Sequence, residues 1–349
     1  MSNPQWSRKE QFKFSAGPWN LHPGADPFGP AVRRERELAE TLKIFKDLGF
    51  DYVQFHDDDA VPDDASPAER ERIAGDIKKL LDDHGLAAEF CAPRLWEDAR
   101  GVDGPSTSNS AADRQWALDR GKRAVDVANL LGTKKIVWWP AREGTYIRES
   151  KDAQTAFGRM LEWTDALLDY DKEIVVLGEM KPNEPMDLMF LPTTGHWLAF
   201  AQKTRDPARV GTLIESAHCI LAGLDPSEEF AYAMWHGKLW GVHLNDQNGL
   251  KYDQDKAFGA VDLRRAFNQV DVLVRGGFGQ AGEVVGLDVK AMRTQPAELS
   301  HLHLKHSKEI FFDLVDLAHS INREEWQGYI ALRDYEGLER FILKALLGK

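Results

Sequence analysis

Residues 173–185 read EIVVLGEMKPNEP. The first seven form an apolar, strand-like run that closes on a carboxylate, Glu179, and Lys181 and Glu184 follow at once. Further β-rich runs stand at 12–16, 51–56, 87–92, 134–139, 210–215, 239–244 and 283–288, which makes eight. Longer stretches with apolar residues at helical spacing separate them. In residues 31–48, Leu38, Leu42, Ile44 and Phe45 mark one face, and residues 112–131 form another such stretch. Eight strands alternating with helices predict an α/β chain folded as a (β/α)8 TIM barrel. That barrel is expected over residues 1–321, its last helix at about 298–321. Residues 322–349 are expected to form a short C-terminal helical tail, helical over roughly 335–347, packed on the barrel or on a partner subunit. An open doubly wound sheet is the competing architecture. It calls for G-x-G-x-x-G after an early strand, and no such motif stands there.

In a barrel, the loops after strands build the active face. The polar stretches 60–67 and 98–111 read as such loops. The C-terminal ends of the predicted strands carry His56, Trp96, Trp139, Glu179, Lys181, Glu215, His218, His243 and Asp288, which therefore converge on one mouth. Taken singly, each has a bland reading: a solvated carboxylate, a surface lysine, a core tryptophan. Carboxylates on three strand ends, with Asp253 and Asp255 in the loop after the seventh strand, are harder to dismiss. Unpaired in a confined mouth they would repel one another, and some would stay protonated. Divalent cations resolve that conflict. Oxygen-rich ligation with one or two imidazoles suits Mg²⁺, Mn²⁺ or Co²⁺ better than a structural zinc.

Three more readings complete the mouth. His56 precedes Asp57, Asp58 and Asp59, and a nearby carboxylate fixes a histidine's tautomer and keeps it basic. Lys181 lies on the same side of its segment as Glu179, in reach of a substrate oxygen. Trp96 and Trp139 offer flat apolar walls for the carbon face of a sugar. Histidines such as His22 and His303 read as surface or core.

The chain has 349 residues, 43% of them hydrophobic and 29% charged, with a formal net charge of −12. The acidic balance weighs against a partner held through phosphates, so no nucleic acid is expected. Cys91 and Cys219 sit in apolar runs and read as buried free thiols. No apolar signal core and no run of membrane length stand in the sequence, which implies a cytoplasmic location and no membrane partner.

The motifs FHDDD (55–59), REG (142–144), E-x-KPNEP (179–185), LPTTGH (191–196), E-x-x-H (215–218), LN-x-QNG-x-KYDQD (244–255), FGAVDLRRAF (258–267) and D-x-K (288–290) stand in one order from Phe12 to Lys290. In these the chain resembles D-xylose isomerase, in particular the shorter actinobacterial-type enzymes. The resemblance implies an aldose–ketose isomerase on a (β/α)8 barrel with two divalent cations per chain, acting on a small sugar, most directly D-xylose to D-xylulose. By position it implies Glu179, Glu215 and Asp288 as ligands of a first metal. It implies Glu215, His218, Asp253 and Asp255 as ligands of a second, with Glu215 as the bridge. His56 with Asp59 matches the pair linked to ring opening, Lys181 the lysine near the carbonyl oxygen, and Trp96 and Trp139 the aromatic walls. Phe28 matches a residue lent to a neighbouring subunit, so a homo-oligomer, dimer or tetramer, is implied.

The departures are as telling. His243 stands where the family has an aspartate ligand, so either His243 ligates or the first site is altered. Asp246, three residues on, is expected to point elsewhere. Trp19 is out of register with the family's first-strand tryptophan. Arg94 replaces a smaller neutral group and is expected to read a substrate anion or to reach solvent. The C-terminal arm is short. Three other readings stay open: an epimerase or isomerase of another sugar or sugar acid with one strong metal, a related barrel acting on nucleic acid, and a non-catalytic sugar-binding relative.

Overall fold

The segment VGTLIE, Val210–Glu215, is buried along its whole length, and its branched residues suit a pleated surface covered on both faces. It is the sixth of eight barrel strands in a computed structural model that describes residues 5–26 and 28–349. Pro27 and the start of the expected barrel domain, residues 1–4, lie outside the described residues. The strands are β1 (Lys13–Ala16), β2 (Tyr52–His56), β3 (Ala87–Ala92), β4 (Lys135–Trp138), β5 (Val175–Glu179), β6 (Val210–Glu215), β7 (Leu239–Leu244) and β8 (Val284–Leu287). Each pairs in parallel with its sequence neighbours, and β8 closes on β1 with Lys13 opposite Val284 and Ala16 opposite Leu287. The expected (β/α)8 barrel is the observed fold.

Eight helices follow the strands: α1 (Leu38–Asp47), α2 (Pro67–His84), α3 (Ala111–Leu131), α4 (Ala153–Tyr170), α5 (Thr194–Ala201), α6 (Pro226–Trp235), α7 (Leu263–Arg275) and α8 (Leu302–Ser320). Their starts are capped locally. Ser66, Ser110, Asp152 and Asp262 each accept a hydrogen bond from a first-turn amide. Gly85 and Gly132 end α2 and α3 with positive φ.

One expectation needs correction, and two features add to the reading. Helix α1 begins at Leu38, not near residue 31, because residues 31–37 are drawn elsewhere. The Val32 and Arg33 amides both donate to the Pro23 carbonyl, and the Arg33 side chain donates to carbonyls of residues 292, 293 and 295. The tail holds two helices, α9 (Arg323–Leu332) and α10 (Tyr335–Leu346). It meets α7 through Phe267–Trp326 ring contact and an Arg264–Glu339 ion pair, and Ile342 is buried. A two-residue antiparallel ribbon, Gly144–Thr145 with Leu188–Met189, joins the loops after β4 and β5 and is too short to show a period.

Two close approaches position the mouth. A Cβ on Gly178 would strike the Trp197 ring at 2.1 Å, so the residue before Glu179 must be glycine for α5 to pack there. A Cβ on Gly286 would lie 2.7 Å from the His243 ring. Glycine on β8 thus makes room for an imidazole inside the barrel. Cys91 and Cys219 are buried free thiols, and no helix of the described residues is long and apolar enough to cross a membrane.

Candidate metal centre

Strands β5 to β8 each deliver one donor to a common point: Glu179 from the end of β5, Glu215 from the end of β6, His243 from β7 and Asp288 just past β8. One ligand atom of each lies within 4.8 Å of the others. His243 Nδ1 is 3.0 Å from Glu179 Oε1, 3.8 Å from Glu215 Oε2 and 4.0 Å from Asp288 Oδ2. His243 therefore belongs with the first donor set, while Asp246 accepts from the Gln247, Val261 and Asp262 amides and points away.

Glu215 also faces a second set. The chain turns from β6 straight into a one-turn helix, Ser216–Leu221, which places His218 one turn beyond Glu215. His218 Nε2 is 3.3 Å from Glu215 Oε1 and 3.2 Å from Asp253 Oδ2. Asp255 stands apart from this group. Lysine Lys290 pairs with its Oδ2, and Asn245 Nδ2 donates to its Oδ1 at 3.2 Å. Asp253 is itself held by Lys181 Nζ at 3.0 Å, and the same ammonium reaches Glu184 Oε2 at 3.0 Å.

The electrostatics are those of crowded, buried acids. Burial first, and then the Asp253 and Asp255 charges, push the Glu215 carboxyl well above its usual range. Burial and Glu215 raise Asp288 to about 6, and burial and Asp253 raise Asp255 to about 7. Against its own burial, Glu179 is drawn down by the His243 charge and hydrogen bond. The two imidazoles move the other way: burial works against the charged form of each, but Glu215 and Asp253 raise His218 to about 9, and Glu179 raises His243. Three buried atoms in the two sets, His218 Nδ1, His243 Nε2 and Asp253 Oδ1, have no hydrogen-bond partner. Carboxylates and imidazoles with excess buried negative charge fit a hard divalent cation.

The opposite side of the mouth is aromatic. Trp19, His56, Trp96 and Trp139 form a chain of ring contacts at 4.3 Å (Trp19–His56), 5.1 Å (His56–Trp96) and 4.6 Å (Trp96–Trp139). Trp139 lies parallel to His218 at 6.5 Å, and Lys181 Nζ sits 5.3 Å from the Trp139 ring, so the wall borders the donor sets. Trp19, although out of register, donates from Nε1 to Asp288 Oδ1 at 3.0 Å. His56 Nδ1 lies 2.8 Å from Asp59 Oδ2, which also accepts the His56 amide at 2.9 Å. Against its burial, that histidine and Arg94 draw Asp59 down to about 2.

Arg94 is engaged by acidic neighbours. Its guanidinium is mostly buried among them. It donates to Asp58 at 2.7 Å, Asp59 at 2.6 Å and Glu97 at 3.2 Å, and lies 2.8 Å from His56 Nδ1. Phe28 is 72% exposed and makes its ring contact with Tyr252 of its own chain, at 5.0 Å. Two residues of the quoted motifs had been given no role. Asn245 donates to Glu215 Oε1 at 2.8 Å and to the Asp288 carbonyl at 3.0 Å, tying β6 to β8. Glu184 accepts from Lys181 and from the Asp253 amide at 3.1 Å. Their signal was position, Asn245 directly after β7 and Glu184 three residues after Lys181.

Comparison with known proteins places this geometry. Residues 42–335 match the family model described as xylose isomerase-like TIM barrel. Among solved structures, a xylose isomerase domain protein from Alicyclobacillus acidocaldarius superposes with a TM-score of 0.60 at 16% identity, over 88% of this chain and 100% of that one. The 3-keto-D-glucoside 4-epimerase of E. coli gives 0.62 at 14% identity, over 85% and 99%. D-psicose 3-epimerase from Clostridium cellulolyticum H10 gives 0.60 at 12% identity, over 88% and 98%. At such identities the likeness is one of fold.

Proposed function

The chain belongs to the xylose isomerase-like TIM barrel family, and from that premise we propose that it is a metal-dependent isomerase of small sugars, acting at a carbonyl and the carbon beside it. The observation that carries this reading is the pair of buried donor sets sharing Glu215 beneath an aromatic wall. Glu179, Glu215, His243 and Asp288 would hold one divalent cation, and Glu215, His218 and Asp253 a second. Cations bound there would polarise neighbouring sugar oxygens and stabilise developing negative charge. The leading reaction is aldose–ketose interconversion, with D-xylose to D-xylulose as the case the sequence resemblance favours.

The protein's own groups have distinct tasks in that reaction. His56 has Nδ1 between Asp59 and the Arg94 guanidinium, which leaves Nε2 as the ring nitrogen facing a ring oxygen during opening. Lys181 stays charged, because Asp253 and Glu184 raise it against the cost of burial, and it offers N–H donors to a substrate oxygen. Trp19, Trp96 and Trp139 lie against the sugar's carbon face and keep bulk water from the carbon that exchanges hydrogen. Phe28, exposed at the rim, completes a neighbouring subunit's site in a homo-oligomer.

A second reading is an epimerase at the carbon beside the carbonyl, working with one strong cation. It is favoured by His243, which completes a four-donor first set, while Asp255 is drawn to Lys290 and leaves the second with three. Epimerases also stand among the proteins of like fold. The test is a panel of aldoses and ketoses incubated with Mg²⁺, Mn²⁺ or Co²⁺ in D₂O. Ketose formed with little deuterium supports isomerisation by direct hydrogen transfer. A ketose epimer carrying solvent deuterium supports the second reading, and no product with any sugar defeats both.

A further inference from the structure

A cavity of about 260 Å³ opens where the segment after β1 meets the segment after β8, apart from the donor sets. It is smaller than a typical pocket for a drug-sized ligand, about 300–1,000 Å³. Its lining carries three guanidiniums, Arg33, Arg34 and Arg36, against one carboxylate, Glu298. Such a concentration of positive charge stands out in a chain of net charge −12.

The hydrogen bonds around it are incomplete in one direction only. Arg33 Nη1 donates to the Met292, Arg293 and Gln295 carbonyls at 3.1, 3.4 and 3.0 Å, which fixes the side chain. Its Nε and Nη2 are buried and have no partner. His22 Nδ1 accepts the Gly24 amide at 2.8 Å, so the neutral ring carries its proton on Nε2, and that atom too is buried without a partner. Arg36 Nη2 is anchored on the Ala297 carbonyl and Ser300 Oγ, each at 2.8 Å. Arg34 pairs with Glu40 at the surface. Burial, Arg36 and Arg293 pull Arg33 below its ordinary value, the mark of cations held close without enough anions. Three unsatisfied donors among like charges call for a ligand that only accepts.

The geometry points to a binding site for a phosphate-type oxyanion in this cavity, among Arg33, Arg34, Arg36 and His22. The cavity lies at the same end of the barrel as the donor sets, because His22 stands three residues past Trp19, which donates to Asp288. The anion is either free phosphate or the phosphoryl group of a phosphorylated sugar.

The test titrates inorganic phosphate, and separately a hexose 6-phosphate, into the Mg²⁺-loaded protein at constant ionic strength, read by ³¹P line broadening and calorimetry. One anion per chain is expected, weakened about tenfold or more in Arg33→Met and in Arg34→Glu. Circular dichroism checks the fold of Arg33→Met, whose loss frees three carbonyls; if it unfolds, the exposed Arg34→Glu decides. A hexose phosphate that binds more tightly than phosphate, with the gain lost in Lys181→Met, identifies a phosphorylated sugar reaching the mouth. Equal affinities identify free phosphate. Binding that survives both arginine substitutions, or no binding of either anion at about 10 mM, overturns the site. None of these readouts depends on turnover, so the site stands or falls independently of the isomerase reading.

Discussion

The two donor sets share a residue but are built differently. The first draws its donors from four consecutive strands or their last bonds to the loops, and each side chain is fixed by a barrel that closes on itself. The second takes Glu215 from a strand, His218 from a single helical turn and Asp253 from the long loop after β7. A lysine pairs within the second set, Lys181 on Asp253, and Lys290 holds Asp255 beside it. The first set has no lysine within it and leans on His243. Strand-borne donors are preorganised for a cation, whereas loop-borne donors are held in balance by ion pairs that a cation must compete with.

Removing the shared member should collapse the contrast, and this is the largest effect expected. Glu215→Gln takes a charge from both sets, so activity and cation binding should each fall by more than about 100-fold, beyond the cost of losing an outer partner. Calorimetry that still shows one unperturbed cation would break the idea of a bridge. His243→Asn should separate the sets. The tighter of two binding events should weaken by about 10- to 100-fold while the other stays, and equal weakening of both would show the sets are one unit.

Lys290→Met sharpens the comparison from the other side. Freed of its ammonium, Asp255 should join the second set, and the weaker cation should bind about tenfold more tightly at neutral pH. Unchanged affinity would mean that Asp255 is held by Asn245 and its left-handed backbone, φ 46°, and not by the lysine.

A last effect lies outside both sets and leaves cation binding untouched. His303 is lowered from 6.5 to about 4, chiefly by burial, with Nε2 donating to the Asn20 carbonyl at 2.8 Å. The unfolded chain therefore binds the extra proton first. Stability from this group is complete above pH 6.5 and is lost as pH falls towards 4, by about 3 kcal/mol. Thermal melts of the metal-free chain should show that slope, and His303→Gln should flatten it. A slope of the opposite sign would assign the histidine a charged role.

Much of the site was legible because strands advertise themselves locally. The runs at 87–92, 210–215 and 239–244 coincide with β3, β6 and β7, and the other five agree to within two residues at either end. Residues at the strand ends then follow from topology, which is why Glu179, Glu215, His243 and Asp288 meet. The partners of Arg94 were not legible, because a guanidinium finds its carboxylates through space and sequence spacing alone does not say which way it turns. The late start of α1 has a similar origin: residues 31–37 have a helical pattern but are held by carbonyls some 260 positions away.

The sequence by itself determined the barrel and the chemistry of its mouth, since apolar runs, helical spacing and carboxylates at strand ends are local properties of the chain. Only the tertiary structure decided the partnerships. It set His243 against Glu179, Lys290 against Asp255 and Arg94 against Asp58 and Asp59, and it left Arg33 with donors unmet. Charge pairing depends on distance and burial, and those exist only once the barrel has closed.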